Sequence, residues 1–480
     1  MRWLVWLLCA LPLCGYWLTG LFDLDEGFYG AVSREMLRRG DWITPHFNGA
    51  PWFEKPILVY WLAAPSIALF GEDIGPRLPS VLCAIGLYWL TWRIVRRGYD
   101  ELTANLAALM LASSLLVVAC SRQLMTDMPL VLAEMAASYS FWRSLTDGRR
   151  WRLLTALWLG VSVLAKGPVG VILFLILMGC TYWREPALRP KFAGYWGLGG
   201  LIFLAVVASW TVPAFLTNRE LFVQEFLIRQ NLGRFSGGDI AHTPNRLAGL
   251  FVYLPILLFG AFPWSLALPK AWKALAPHDA FVRYNFRWFI TVFAFFTVTG
   301  AKLMHYVLPA VPAMIVILAI YAADRWRTRG EVRPLRPLLA PAVGILIVSL
   351  LVNVGQWWYY GGAPFAKPGD ELKYNAPYQE ELHYCTKLAR DRKLPIVVYQ
   401  MSKRPGAKTL LQETSHPSVV FYANAVVRVA ESAGDLERIK RPYALLTRVS
   451  RITPELEKLL IGQGATPFAG GIQYVIWRVP

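Results

Sequence analysis

Acidic and basic side chains crowd residues 23–56, the stretch that follows the first apolar segment of the chain. Asp25, Glu54 and Lys55 are among them. Ionisable groups are costly to desolvate beside hydrocarbon, so a dense cluster next to an apolar segment indicates a functional site. The alternative is a charged, solvated loop with no function of its own.

Asp25 and Glu26 stand at the predicted start of a helix, because Tyr29, Val32 and Met36 recur at helical spacing after them. This pattern predicts an amphipathic helix on the membrane surface. Its N-terminus would hold Asp25 near the head groups, where a carboxylate can act as a general base or orient a lipid-borne substrate. The two acids are also explained as favourable charges at a helix start.

Residues 52–56 place an acid and a base, Glu54 and Lys55, between aromatic residues and a proline. Aromatic residues favour the membrane interface, and proline stiffens the chain. A lysine in this position can bind a lipid phosphate as a point charge. A salt-bridged turn at the interface is the alternative.

Further polar residues interrupt the later apolar runs. Two roles suit Asp127: it can belong to the functional site, and it can be the N-cap of a helix that begins at Met128. Lys166 lies in an otherwise apolar region, where it must reach water or meet an anion such as phosphate. The remaining candidates are Arg234 and His242 in the 218–246 segment, and Lys302, His305 and Tyr306 in a later turn.

Cations beside carboxylates on one surface suit a specific chemistry. Transfer of a sugar from a polyprenyl phosphate leaves a phosphate anion. Lysine, arginine or a metal ion can stabilise the charge that develops, while a carboxylate activates or orients the acceptor.

Membrane spans are the elements that must position these residues. Of 480 residues, 56% are hydrophobic and 17% are charged, against roughly 25% charged in soluble domains. We expect a polytopic α-helical membrane protein with about eleven to thirteen spans of roughly 20 residues and surface helices on its periplasmic side.

The net charge of +18 lies mostly in short loops, where it sets topology rather than attracting nucleic acid. The six cysteines show neither a disulfide framework nor a metal-ligand spacing.

Every second predicted loop is basic, which orients the chain. These loops lie in residues 93–97, 143–152, 184–191, 270–287 and 325–336. Because basic loops stay in the cytoplasm, the stretch 23–56 and the other candidate residues share the periplasmic side of a bacterial inner membrane in this prediction.

The chain becomes polar after residue 360. We expect residues 1–360 to form the transmembrane domain, with 23–56 as its first outer loop, and residues 361–480 to form a small periplasmic α/β domain. Strands are predicted at 395–400, 418–422, 443–447 and 473–479, and helices at 378–392 and 453–461. The tail contains no catalytic motif, so a packing or docking role is favoured.

Several motifs of this chain resemble one enzyme family. They are Asp25-Glu26 with Tyr29, Ala31 and Met36; residues 53–56 (FEKP); Thr126-Asp127; residues 164–167 (LAKG); Asn231 with Arg234; residues 253–255 (YLP); Pro263-Trp264; and Lys302 with residues 306–309 (YVLP). Together they resemble glycosyltransferase family 39 over about residues 1–325. Its members have the GT-C fold and use polyprenyl-phosphate sugars. The chain looks like the bacterial aminoarabinose lipid A transferases and is distantly similar to protein O-mannosyltransferases.

The resemblance implies a role for each candidate residue. Asp25 and Asp127 would be carboxylates of the catalytic site. Donor phosphate or substrate would contact Tyr29, Lys55, Lys166, Arg234, Lys302 and Tyr306. Glu54 and His242 would match a zinc-binding pair, although Gln230 stands where the family has an acidic residue and the spacing from His242 to Pro244 is tighter than in the family.

The expected function is transfer of a sugar, aminoarabinose for example, from an undecaprenyl-phosphate donor to lipid A or another envelope acceptor. A different sugar or a protein acceptor is the nearest alternative. A lipid-linked sugar transporter or flippase is an alternative from another class, and an assembly scaffold is a third. A transporter should carry its ionisable groups near the bilayer midplane in broken helices. The predicted clustering in outer loops favours the enzyme.

Overall fold

The computed structural model describes residues 2–232, 248–277, 279–300, 302–328, 336–360, 376–401, 416–471 and 473–480. The chain divides into two compact units. The first comprises Met1–Cys14, Phe53–Val59 and Arg77–Val352. The second comprises Gly15–Trp52, Tyr60–Pro76 and Asn353–Pro480.

Helices and the segments that connect them make up the described residues of the first unit. Its helices are Arg2–Ala10, Leu78–Gly98, Glu101–Ala112, Leu115–Ser121, Asp127–Thr146, Trp151–Lys166, Val169–Arg184, Trp196–Leu221, Ala248–Gly260, Leu268–Leu275, Ala280–Val298, Ala310–Thr328 and Arg336–Tyr360, the last of which continues into the second unit. The turn Met304–Val307 is 3₁₀-helical, and Phe222–Leu232 is π-helical.

Two helices of this unit form a tight antiparallel hairpin. Asp127–Thr146 and Trp151–Lys166 are joined by a short connection and pack along their length. The second helix also packs closely on Trp196–Leu221, because a Cβ added at Gly160 would come within 2.7 Å of Val206. This hairpin brings the start of its first helix and the end of its second helix to the same end of the bundle.

Three described helices are long and apolar enough to cross a membrane: Leu78–Gly98, Trp196–Gln230 and Leu338–Gly355. Two bent pairs raise this number to five, if each pair is one span. The sequence also has apolar runs at 128–143, 153–165, 167–183, 285–300 and 303–323, each of which predicts a span. They coincide with observed helices that fall outside these length and hydropathy limits. The predicted class, a polytopic helical membrane protein with a small C-terminal sheet domain, is confirmed.

The second unit contains a five-stranded mixed sheet. Its strands are β3 (Ile396–Tyr399), β4 (Arg428–Ala430), β5 (Tyr443–Arg448), β6 (Thr466–Gly470) and β7 (Tyr474–Val479), in the order β4-β3-β5-β7-β6. β3 runs parallel to β4 and β5, whereas β7 runs antiparallel to β5 and β6. The helices of this unit are Asp25–Arg39, Leu58–Ile74 (which begins in the first unit), Ala376–Asp391, Ser418–Ala423, Ala433–Glu437 and Pro454–Gly462.

A short hairpin in the segment 23–56 joins β1 (His46–Phe47) to β2 (Ala50–Pro51). Asn48 and Gly49 form its turn with φ of +51° and +92°, and the dipeptide Asn-Gly favours this geometry. The Asn48 side chain also exchanges two hydrogen bonds with the backbone of Val427, of 2.7 and 3.0 Å. The hairpin is therefore tied to the segment that leads into β4.

The predictions for the tail were right for three strands and wrong for one. β3, β5 and β7 match the predicted runs, and helices Ala376–Asp391 and Pro454–Gly462 match the predicted amphipathic segments. Residues 418–422 were predicted as a strand, but Ser418–Ala423 is a helix. All six of its residues are buried, and it packs on helix Asp25–Arg39.

Asp23 explains why this β-branched segment is helical. Its carboxylate accepts hydrogen bonds from the backbone N–H (2.7 Å) and the Oγ (2.8 Å) of Ser418, the first residue of the helix. An anion at this position satisfies an end group of the helix and complements the helix dipole. Burial raises the pKa of Asp23, although His416, 3.5 Å away, and Ser418 act in the opposite direction.

Glu72 organises a second charged cluster in this unit. It follows Gly71, whose φ of +76° breaks the helix Leu58–Ile74. Its carboxylate lies 2.9 Å from Arg34, 2.6 Å from Arg390 and 3.2 Å from Lys387. Burial favours the neutral acid, but the two arginine hydrogen bonds and the lysine charge outweigh it and lower the pKa of Glu72 to about 2.

We expect Glu72→Gln to destabilise the protein by about 2 kcal/mol, because three cations lose a charged acceptor. The folded pKa lies below that of an unfolded glutamate, so this stabilisation is complete above about pH 4.5 and is lost as the pH falls towards 2. Unfolding of the purified protein followed against pH checks both statements.

Asp73→Asn is the matched control. Asp73 is the next residue and lies 3.5 Å from Lys387, but its side chain is 65% exposed. Its loss should cost less than about 0.5 kcal/mol. Equal effects of the two variants would contradict the assigned role of Glu72.

Candidate functional site

A buried ion pair lies at one end of the helical hairpin. The Nζ of Lys166 donates a hydrogen bond to Oδ1 of Asp127 over 2.5 Å. The two side chains are 14% and 3% exposed. Because a buried charge is costly unless it is paired, this contact fixes both side chains in place.

The fold accounts for the pairing. Asp127 is the first residue of its helix, and Lys166 is the last residue of the antiparallel partner helix. A carboxylate is favoured at a helix N-terminus and an ammonium at a C-terminus, so the two helix dipoles support the pair. Asp127 was also considered as an N-cap, but Thr126 occupies that position and makes no side-chain capping bond. The carboxylate is directed to Lys166 instead.

The turn Met304–Val307 contributes two further residues. The Nε2 of His305 lies 3.7 Å from Oδ2 of Asp127. The Nζ of Lys166 lies 4.5 Å from the ring centroid of Tyr306, close enough for a cation–π interaction. Asp127 thus has one oxygen towards Lys166 and the other towards His305.

Lys55 adds a third basic group to this environment. Its Nζ donates to Oε1 of Glu54 over 2.7 Å, and its side chain is only 9% exposed. Its charge also acts on the Asp127 carboxylate. The contact with Glu54 is the ion pair that the salt-bridge alternative predicted, and it places a buried ammonium in the same unit as Asp127 and Lys166.

Lys302 has a different role in the described contacts. Its Nζ donates to the carbonyl oxygens of Thr297 (2.9 Å) and Thr299 (2.7 Å), at the end of helix Ala280–Val298. Carbonyl groups at a helix C-terminus attract cations, so a structural role accounts for this lysine. Burial lowers the pKa of Lys302.

Two predicted residues belong to the second unit. Asp25 is the first residue of helix Asp25–Arg39, as predicted, and it is exposed. Tyr29 lies one turn later and is 3% exposed, with its ring 6.2 Å from that of Tyr60. Arg234 and His242 lie outside the described residues.

The predicted zinc pair has only one member in the described part of the chain. Glu54 is that member, and its carboxylate accepts a hydrogen bond from Lys55. Within the described ranges, no group of three or more His, Cys, Asp or Glu side chains is arranged to hold a metal ion. Zinc at Glu54 and His242 therefore stays a prediction.

Glu134 is a buried acid that is not among the predicted site residues. It lies seven residues, or about two turns, after Asp127 on the same helix and is 6% exposed. No described residue hydrogen-bonds either of its carboxylate oxygens. The sequence does contain a signal for this residue, because Glu134 is an acid inside the apolar run 128–143, where an ionisable residue indicates function.

We expect Lys166→Met to destabilise the protein by about 3 kcal/mol, because Asp127 would keep a buried charge without its nearest cation. The double variant Asp127→Leu/Lys166→Met removes both charges and should recover most of this loss. Unfolding of wild type, Lys166→Met, Asp127→Leu and the double variant in detergent measures the coupling. Additive losses in the double variant would contradict a direct pairing.

Comparison with known proteins relates the chain to enzymes of lipid-linked sugars. Residues 54–211 match the family model of dolichyl-phosphate-mannose-protein mannosyltransferases. An undecaprenyl phosphate-alpha-4-amino-4-deoxy-L-arabinose arabinosyl transferase of Pseudomonas fluorescens is 29% identical over 339 residues, 68% of this chain and 57% of the relative. Its counterpart in Pseudomonas aeruginosa is 30% identical over 324 residues, 65% of this chain and 58% of the relative. The chain thus matches less than two thirds of the length of these relatives.

Solved structures identify the fold. ArnT from Cupriavidus metallidurans bound to undecaprenyl phosphate superposes with a TM-score of 0.76 at 19% identity, over 100% of this chain and 98% of ArnT. The archaeal oligosaccharyltransferase AglB from Archaeoglobus fulgidus gives 0.52 at 12% identity, over 95% and 70% of the two chains. The chain therefore has the GT-C fold of ArnT, and its predicted resemblance to the aminoarabinose transferases and, more distantly, to the protein mannosyltransferases is confirmed.

Proposed function

We propose that the protein is a membrane glycosyltransferase that moves a sugar from a polyprenyl-phosphate donor to an envelope acceptor. Aminoarabinose, undecaprenyl phosphate and lipid A are the proposed sugar, carrier and acceptor. The names of the relatives and the fold shared with ArnT support this choice. Transfer of another sugar, or transfer to protein, uses the same donor chemistry and is the alternative.

The group of buried cations in the first unit carries the proposal. Lys166 stands beside Tyr306 and is held by Asp127, while Lys55 is nearly buried and held by Glu54. A lysine that is already desolvated and oriented can meet a phosphate without a large reorganisation. Such cations suit a lipid phosphate better than a neutral sugar.

The two lysines have a direct role when the sugar leaves the donor phosphate. The acceptor oxygen forms a bond to the anomeric carbon, the bond between that carbon and the donor phosphate oxygen breaks, and the electron pair of the broken bond stays on the phosphate. The ammonium groups of Lys55 and Lys166 stabilise the negative charge that develops on the leaving polyprenyl phosphate. Asp127 holds the ammonium of Lys166 in position through their hydrogen bond, so it acts as a positioning residue in this step.

The acceptor decides what Asp25 must do. A hydroxyl acceptor has to lose its proton, and Asp25 would then act as the general base. A phosphate of lipid A is already ionised and needs only to be positioned. In the second case Asp25 would instead pair with the amino group of the sugar.

Location and metal content form part of the proposal. The alternating basic loops support a site on the periplasmic side of the inner membrane. Zinc at Glu54 and His242 stays a prediction, and no step above depends on it. Elemental analysis of protein purified without a metal-affinity tag tests it, since Glu54→Ala/His242→Ala should hold less zinc than wild type.

We expect Lys55→Met to lower kcat/KM for transfer by about 100-fold, because a cation that stabilises the leaving phosphate is lost. The assay uses purified protein and radiolabelled undecaprenyl-phosphate aminoarabinose with lipid A as acceptor. Lys273→Met is the control, since Lys273 is an exposed lysine of the same unit and should leave the rate unchanged. Equal rates in wild type and Lys55→Met would contradict the proposed donor site.

Asp25→Asn distinguishes the two acceptor types. With a hydroxyl acceptor the loss of a general base should lower kcat by about 100-fold or more. With a phosphate acceptor the pH profile should keep its shape, and the effect should fall mainly on KM for an amino sugar. Transfer equal to wild type with every donor and acceptor would remove Asp25 from the reaction.

A further inference from the structure

A cavity of about 390 Å³ opens at the basic end of the first unit, away from Asp127 along helix Asp127–Thr146. Arg97, Tyr99, Tyr139, Trp142, Arg143 and Asp147 line much of it. With Asp279 and Phe281 included, two cations, two anions and four aromatic rings surround a space of the size that small-molecule sites have. The proposed transfer reaction does not use this cavity.

The two arginines of the cavity share one carboxylate. An Nη of Arg97 lies 2.9 Å from Asp147, and the Nε of Arg143 donates to the same oxygen over 2.6 Å. The guanidinium of Arg143 is also stacked 3.5 Å over the ring of Trp151. A stacked guanidinium keeps its in-plane donors at its edge, so the group is held in place while its terminal nitrogens can still bind an anion.

The charges around the cavity favour an anionic ligand. Within the wall itself, Arg97 and Arg143 are balanced in formal charge by Asp147 and Asp279. Asp279 is turned towards Tyr99 and towards two N–H groups at the start of helix Ala280–Val298, which donate hydrogen bonds to it. The flanking segments add Arg93, Arg96, Arg149 and Arg150 against Asp100 and Glu101, and this excess of two positive charges favours an anion.

An exposed stripe on helix Leu78–Gly98 leads to the cavity. Leu82, Ile85 and Trp89 are 56%, 40% and 52% exposed, and Arg93 and Arg97 follow on the same helical face. This helix meets the length and hydropathy criteria for a membrane span. The stripe is therefore apolar where it faces hydrocarbon and cationic where the span ends, which is the profile of one lipid molecule.

We propose that this cavity binds the head group of an anionic phospholipid, with an acyl chain along Leu82, Ile85 and Trp89 and the phosphate between Arg97 and Arg143. Basic pockets at the ends of transmembrane helices recognise such head groups. The aromatic walls suit the interfacial depth of the glycerol. The apolar stripe favours a lipid over a soluble phosphate, because only a lipid uses the stripe and the cavity together.

Native mass spectrometry of the delipidated full-length protein tests the assignment. Dioleoylphosphatidylglycerol and dioleoylphosphatidylcholine are titrated separately, and glycerol phosphate and inorganic phosphate are then added as competitors. The phosphatidylglycerol adduct should form at least about fivefold more tightly than the phosphatidylcholine adduct, and neither soluble phosphate should displace it at equal concentration.

Variants locate the site. Arg97→Gln should weaken phosphatidylglycerol binding about fivefold, and Arg97→Gln/Arg143→Gln about 25-fold. The Arg97 side chain is 54% exposed, so the single variant should fold even if the double variant does not. Arg325→Gln is the matched control, because Arg325 is an exposed arginine at the end of helix Ala310–Thr328 and does not line the cavity.

Four outcomes would overturn the proposal. Equal binding of the two lipids would remove the anionic preference. Unchanged binding in Arg97→Gln would place the lipid elsewhere. An equal loss in Arg325→Gln would indicate attraction by overall charge rather than by this cavity. Displacement by inorganic phosphate or glycerol phosphate would assign the cavity to a water-soluble phosphate.

Discussion

The cost of burying a charge organises the first unit. Asp127 lies among helices where an isolated carboxylate would be strongly destabilising, and Lys166 is placed where it offsets that cost. The antiparallel hairpin makes this possible, because it brings the first residue of one helix to the last residue of the next. The neighbouring turn then adds His305 and Tyr306 to the same end of the bundle.

In the second unit, too, acidic side chains that are largely buried are paired with cations or hydrogen-bond donors. Glu72 draws Arg34, Arg390 and Lys387 together from two distant parts of the chain, and Asp23 holds the start of helix Ser418–Ala423. Asp23 belongs to the charged stretch 23–56 that first indicated function. Its contacts show that part of that charge has a structural use, whereas Asp25 stays exposed.

The sequence indicated the fold class and most helices, because apolar periodicity and basic loops are local properties of the chain. It also singled out Lys55, Asp127 and Lys166 as ionisable residues that interrupt apolar runs. It could not predict that Lys302 binds helix carbonyls or that His305 faces Asp127, since both depend on tertiary packing. The helix at 418–423 was missed for the same reason: its capping carboxylate, Asp23, lies 395 residues away in sequence.

That separation has a consequence for biosynthesis. The segment Gly15–Trp52 emerges from the ribosome early, but the contacts of Asp23 and Asn48 need residues 418 and 427. At about 5–20 residues per second, their synthesis follows on the order of half a minute later. During that interval Asp23 and Asn48 lack these hydrogen-bond partners. The segment Gly15–Trp52 can therefore complete its packing within the second unit only after the C-terminal part of that unit has been made.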